Sequence, residues 1–185
     1  MNRVVTRLQG ACINVGRTHC RVLSAATANS QDVQLTLALL KPDLLANAES
    51  VDRIIREIQS TAGMEIAHRK QIFWTRKEAE RFYDEHRGRF FFNRLVGYMT
   101  SGPIEAMALR GPRAIAQWRE MLGATHPVRM RVLKPTTLRA RYGLTDTRNS
   151  FHGSDSMESA EKELSFVFGS RVYRELMEGR AGNSE

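Results

Sequence analysis

At 185 residues, about 155 of them beyond an unusual leader, the chain is long enough for one compact domain with its own core. It contains no run of ~18 apolar residues, which excludes a hydrophobic membrane-spanning helix of ordinary length. Lys and Arg outnumber Asp and Glu by 28 to 20, a net charge of +8, but four of those charges precede Asp32. The remaining excess suits a polyanionic substrate and is weak support for nucleic-acid binding. Both cysteines, Cys12 and Cys20, also lie in the leader, so the rest of the chain offers no disulfide, Cys-based metal site or thiol nucleophile.

Residues 1–31 carry Arg3, Arg7, Arg17 and Arg21 with no acidic residue, and end in Ser24-Ala25-Ala26-Thr27-Ala28-Asn29-Ser30. This is the composition of a mitochondrial transit peptide, with a disordered basic arm as the simpler reading. On a helix the four arginines would fall within ~80° of one another and Val5, Leu8, Cys12 and Val15 would lie together on another face, although Gly10 and Gly16 weaken such a helix in water. Arg21-Val22-Leu23-Ser24 is similar to a matrix-protease site cleaved after Leu23, and the expected location is the mitochondrial matrix.

Val33 to Leu40 alternates and then becomes continuously apolar, predicting a central strand stopped by Pro42. Val51, Ile54, Ile55 and Ile58 form a helical stripe supported by the pairs Glu49/Arg53 and Asp52/Arg56. Gly63 ends that helix and Met64 to Phe73 predicts a second strand. Two short helices are expected at Glu78 to His86 and Phe92 to Met99, a third strand at Ile104 to Leu109, and a helix from Arg113 to Leu122 closed by Gly123. A short fourth strand carries His152. This order predicts an α/β (α+β) fold, a ferredoxin-like βαββαβ four-stranded antiparallel sheet covered by helices.

The most informative stretch is Arg148-Asn149-Ser150-Phe151-His152-Gly153-Ser154-Asp155-Ser156. Asp155 and Glu158 are spaced as an N-cap and its partner, and Met157, Ala160, Leu164 and Phe168 repeat at helical spacing, predicting a helix from about Ser156 to Phe168. Glu161 and Glu163 flank that apolar stripe, so either carboxylate could turn back and fix the His152 imidazole, leaving its other nitrogen free to attack. By itself a His-Gly before a helix reads as a turn residue. His68 reads as part of a strand face, and His86 and His126 as surface or loop residues.

The stretch resembles the signature N-x-x-H-[GA]-S-D-S of the nucleoside diphosphate kinases. Leu40-Lys41-Pro42-Asp43, Tyr83, Phe91-Phe92, Tyr98-Met99-Thr100-Ser101-Gly102-Pro103, Trp118-Arg119, Met121 to Pro127 and Thr137-Leu138-Arg139 follow the same family's pattern. The resemblance covers about residues 32–168. It divides the chain into the leader 1–31, a kinase domain 32–170 and a C-terminal tail 171–185.

The resemblance implies phosphoryl transfer between nucleoside tri- and diphosphates through phosphohistidine at His152, with ATP or another triphosphate as donor. It implies that Glu163 orients His152, with Ser154 beside the pair and Tyr83 near the transferred group. It gives Lys41, Arg119, Thr125 and Arg139 to the phosphates, Asn149 and also Lys41 to the ribose, and Phe91 with Leu95 to the base. Mg²⁺ is expected on the phosphates, with no protein side-chain ligands. The partners implied are the nucleotides, with a homo-oligomer or a heterologous mitochondrial protein beside them; integral membrane contact is not expected.

Three departures stand out. Asp146 occupies a position where the family commonly has Val against the base, Phe90 replaces the Pro usual before Phe-Phe, and about three extra residues lie between Pro127 and Thr137. The run Gly143 to Asn149 together with this insertion resembles the family's divergent nucleoside diphosphate kinase 6 branch. The altered loop leaves a second expectation: a weakly active or inactive kinase-fold scaffold acting through a mitochondrial protein partner.

Overall fold

The computed structural model describes residues 33–179, so residues 1–31, where a transit peptide and its cleavage site are expected, lie outside the described residues. The chain begins with β1 (Val33–Leu40), followed by the one-turn α1 (Pro42–Leu45), α2 (Ala48–Ser60) and β2 (Glu65–Ile72). Next come α3 (Arg76–Phe82), a 3-10 turn at Asp84–His86, α4 (Phe92–Met99), β3 (Ile104–Pro112) and α5 (Ala114–Leu122). The short α6 (Pro127–Leu133) and α7 (Leu138–Tyr142) lead into β4 (Phe151–Gly153), α8 (Met157–Phe168) and α9 (Ser170–Met177).

The four strands form one sheet in the order β2-β3-β1-β4, with every neighbouring pair antiparallel. This is the ferredoxin-like arrangement expected from the element order. β1 is central and apolar on both faces because helices cover both. Leu35, Leu37 and Leu39 pack with Val96, Met99, Leu164 and Phe168 on one side, whereas Ala38 and Leu40 pack with Ile54, Ile58, Trp118 and Leu122 on the other. The stripe Val51, Ile54, Ile55 and Ile58 is the buried face of α2. Its Glu49–Arg53 pair closes at 2.8 Å; Asp52 and Arg56 form no ion pair among the described residues.

The structure departs from the sequence reading at several ends. The helix expected over Glu78 to His86 stops at Phe82, and Tyr83 turns the chain into the 3-10 segment. The cap of α8 is Ser156 rather than Asp155: Ser156 Oγ accepts from Ser159 N at 3.1 Å, and Ser159 Oγ accepts from Ser156 N at 3.0 Å. Asp155 instead accepts from the Ser159 hydroxyl at 2.7 Å, a side-chain bond just outside the first turn. The segment read as a tail continues the fold, because α9 places Leu176 in the core at 2% exposure.

Candidate active site

His152 sits in the middle of β4, paired with Leu39 of β1. The strand has only three residues, and specific contacts fix its path. Trp118 Nε1 donates to the His152 carbonyl at 3.0 Å. Gly153 runs so close to the indole that an added Cβ would lie 2.6 Å from Trp118 Cδ1, so only a hydrogen fits there. Two residues upstream, the buried Ser150 adopts φ 65, the left-handed region.

The imidazole is held from α8. His152 Nε2 lies 2.8 Å from Glu163 Oε2, and Ser154 Oγ donates to the same oxygen at 2.7 Å. Ser154 is fully buried, and its Oγ in turn accepts from Leu37 N at 3.1 Å. An ionised carboxylate can only accept, which assigns the proton to Nε2 and leaves the Nδ1 lone pair for attack. The rings of Phe82 and Tyr83 wall the imidazole at 5.2 and 6.3 Å. The His152 side chain keeps 18% exposure, so its face is reachable. Of the two candidate carboxylates, Glu163 is the one at the histidine.

A cationic group stands beside it. Lys41 Nζ donates to Asn149 Oδ1 at 2.8 Å and lies 5.6 Å from the centre of the Tyr98 ring. Burial first, then Arg139, press the Lys41 ammonium down to about 7, against the opposing pull of Asp43. Burial and then Arg119 lower the Arg139 guanidinium to about 10, while Tyr83 opposes them. Arg139 donates to the carbonyls of Gly123 at 2.7 Å and Phe151 at 3.4 Å, but its buried Nε has no partner. The Tyr83 hydroxyl is likewise buried without a partner. Burial and then the Glu163 charge raise its pKa well above that of an ordinary phenol, so it remains a neutral donor. Two mutually repelling arginines and orphaned donors are what an anionic phosphate would satisfy.

The sequence profile of nucleoside diphosphate kinases matches residues 34–172. The chain belongs to this family. It is 48% identical over 136 residues to nucleoside diphosphate kinase 6 of Danio rerio, covering 74% of this chain and 77% of that one. It is 42% identical over 139 residues to a nucleoside diphosphate kinase of Nitratiruptor sp., covering 75% of this chain and 98% of the relative. Among solved structures, Aquifex aeolicus nucleoside diphosphate kinase superposes with a TM-score of 0.66 at 39% identity, covering 74% of this chain and 95% of that chain.

The remaining family positions fall at different distances from the histidine. Phe91, at the start of α4, touches His86, whose ring is stacked on Tyr83 at 6.1 Å. His86, read as a surface residue, thus links the candidate base platform to Tyr83 beside His152. Leu95, at 7% exposure, is part of the core. Arg119 and Thr125 are exposed and form no hydrogen bond to the His152 group. His126 pairs with Asp146 at 2.9 Å, and the Asp146 carbonyl accepts from Asn149 Nδ2 at 3.0 Å. Sequence reasoning assigned no role to Trp118, Phe82 or Asp43. The Lys41-Pro42-Asp43 motif was the signal for Asp43; the contacts of the other two are purely tertiary.

Proposed function

We propose that the chain is an active nucleoside diphosphate kinase working by a ping-pong cycle. The observation that carries this reading is the His152–Glu163–Ser154 arrangement, which protonates Nε2 and frees Nδ1 beside buried cations. The Nδ1 lone pair attacks the γ-phosphorus of a bound triphosphate. The phosphorus–oxygen bond to the β-phosphate breaks, and the diphosphate leaves. An oxygen of a second diphosphate then attacks the phosphohistidine phosphorus and the phosphorus–nitrogen bond returns its electrons to Nδ1. Arg139, Arg119, Lys41 and Thr125 hold the phosphates, Tyr83 donates to the transferred group, Asn149 and Lys41 hold the ribose, and Phe91 offers a stacking face that discriminates little between bases.

Among the described residues no three His, Cys, Asp or Glu side chains gather as a metal site. Mg²⁺ would be carried by the phosphates rather than by this chain's side chains and would offset part of their charge, with Lys41, Arg119 and Arg139 meeting the remainder. We place the activity in the mitochondrial matrix, supplying triphosphates there, on the composition of residues 1–31.

The decisive test exposes the chain starting at Ser24, and its His152→Ala variant, to γ-labelled ATP with Mg²⁺ and then chases with a nucleoside diphosphate. Acid-labile label that requires His152 and moves to the diphosphate is the expected result. A folded, nucleotide-binding chain that takes no label refutes it. A scaffold reading is favoured by one observation: Val128, Val132 and Leu133 of α6 are 61%, 82% and 58% exposed in the segment carrying the extra residues. Retained cellular effect in His152→Ala supports that second reading.

A further inference from the structure

Three contacts tie the turn before His152 to the end of β1. Lys41 N donates to the Ser150 carbonyl at 3.0 Å, Lys41 Nζ donates to Asn149 Oδ1 at 2.8 Å, and Ser150 Oγ donates to Asp43 Oδ2. The other Asp43 oxygen accepts from the Tyr98 hydroxyl. The Tyr98 ring faces both Lys41 Nζ at 5.6 Å and the Arg148 guanidinium at 6.0 Å. Ser150 is fully inaccessible and holds φ 65, a conformation rare for a residue with a side chain and kept only where surrounding contacts determine it. Its neighbour Phe151 enters the core with 0% exposure, so the turn decides which way His152, the next residue of the strand, is aimed.

We propose that Asp43 is a positioning residue of this site: its two carboxylate oxygens grip Ser150 and Tyr98, fixing the left-handed turn that aims His152, and its charge faces Lys41. The inference rests on the phosphotransfer reading and adds to it a role for the aspartate. A carboxylate accepts from both hydroxyls at once. An amide in its place accepts through one oxygen and can only donate through its nitrogen, so Asp43→Asn replaces one charge-assisted bond by a neutral bond of reversed direction, with the Ser150 proton turned to the Tyr142 carbonyl at 3.3 Å or the Tyr98 proton left without its acceptor. The groups facing Lys41 are Asp43 from α1, Arg139 from α7, Asn149 from the turn and the Tyr98 ring from α4. Burial and Arg139 favour the neutral amine; Asp43 favours the ammonium. Removing the Asp43 charge therefore lets Lys41 lose its proton at lower pH.

The test uses the full chain with Asp43→Asn, Ser150→Ala, Ser150→Gly and Tyr98→Phe. Phosphorylation of His152 by γ-labelled ATP with Mg²⁺ is followed against pH and normalised to folded protein, and the Lys41 Cε and Nζ resonances are titrated by NMR. Asp43→Asn is expected to slow phosphorylation about tenfold, the order of one hydrogen bond to a charged group. It also moves both the alkaline limb and the Lys41 titration to lower pH. Ser150→Ala slows phosphorylation without moving the Lys41 titration. Ser150→Gly, at ease in the left-handed region, recovers thermal stability relative to Ser150→Ala but not the rate. An Asp43→Asn chain that titrates Lys41 at the parental pH, or phosphorylates at the parental rate per folded molecule, overturns the proposal. Should the parent take no label, the proposed function fails, and the Lys41 titration with the His152 ring-nitrogen shifts still decides the role of Asp43. Should Asp43→Asn not fold, the Ser150 and Tyr98 variants decide it by the same rate and ring shifts.

Discussion

Gly153→Ala tests whether packing, rather than the family signature, sets the residue after the nucleophile. The signature allows Ala there, but an added Cβ in this chain meets Trp118 Cδ1 at 2.6 Å, Trp118 Nε1 at 2.7 Å and Leu122 Cδ1 at 3.1 Å. Trp118 and Leu122 are 0% and 1% exposed, so neither can swing into solvent. Overpacking of this kind costs ~1–3 kcal/mol. Moving the indole also weakens its 3.0 Å bond to the His152 carbonyl, worth a further ~0.5–1.5 kcal/mol. Together they give about 1.5–4.5 kcal/mol, which for a chain of this size lowers Tm by roughly 3–18 °C. Calorimetric melting of the variant reads the shift. Combining Gly153→Ala with Trp118→Phe should be less destabilising than the sum of the two, because the smaller ring vacates the contested space. A Tm within about 2 °C of the parent would refute the packing argument.

Tyr83→Phe removes a buried hydroxyl that has no partner, so the nucleotide-free chain should gain about 1 kcal/mol of unfolding free energy while phosphotransfer slows; denaturant titration beside the labelling assay checks both signs. Lys41 holds its proton in the folded chain only up to about 7 against an ordinary 10.5, so between those values the unfolded chain binds the extra proton. Stability therefore rises with pH across that window by up to about 1.4 kcal/mol per unit, a slope that Lys41→Met should abolish in pH-dependent urea unfolding. Over the same rise in pH, loss of the ammonium should weaken triphosphate binding measured by calorimetry. Ser156→Ala removes the cap of α8 and should cost about 1 kcal/mol, read as a lower urea midpoint with an unchanged m-value, whereas Asp155→Ala should cost less.

His152 was legible because a fixed signature names it. Helical spacing left Glu161 and Glu163 on opposite flanks of α8, and only the family resemblance singled out Glu163, which the structure places 2.8 Å from the imidazole. β1, α2 and α4 were legible from local patterns: Val51, Ile54, Ile55 and Ile58 are all buried, so the apolar stripe reports a real packed face. α6 escaped notice because Val128, Val132 and Leu133 face outward, which removes the one-sided pattern that marks a helix. The shift of the α8 cap by one residue turns on whether a serine pair or an aspartate closes the turn, a choice between near-equal capping residues. Asp43 was visible only as a motif letter. Its partners Tyr98 and Ser150 lie 55 and 107 residues away in sequence, and no local periodicity encodes such contacts. The same holds for Trp118, whose indole limits Gly153 from another element.

The groups that fit this site to a phosphate also make it costly to fold. Lys41 and Arg139 are pushed toward their neutral forms, Arg139 is opposed by Arg119, and the Tyr83 hydroxyl and Arg139 Nε are buried without partners. None of these is explained by packing, since apolar replacements would relieve every one of them. A bound polyphosphate relieves them together: it supplies counter-charge to the three cations and acceptors to the orphaned donors. The restraints around His152 run the opposite way, with the Glu163, Ser154 and Leu37 chain and the Trp118 bond all satisfied. On the proposed phosphotransfer reading, His152 is held by completed bonds while the unmet groups await phosphate, so the transferred group would meet an aligned imidazole and donors that need no reorganisation.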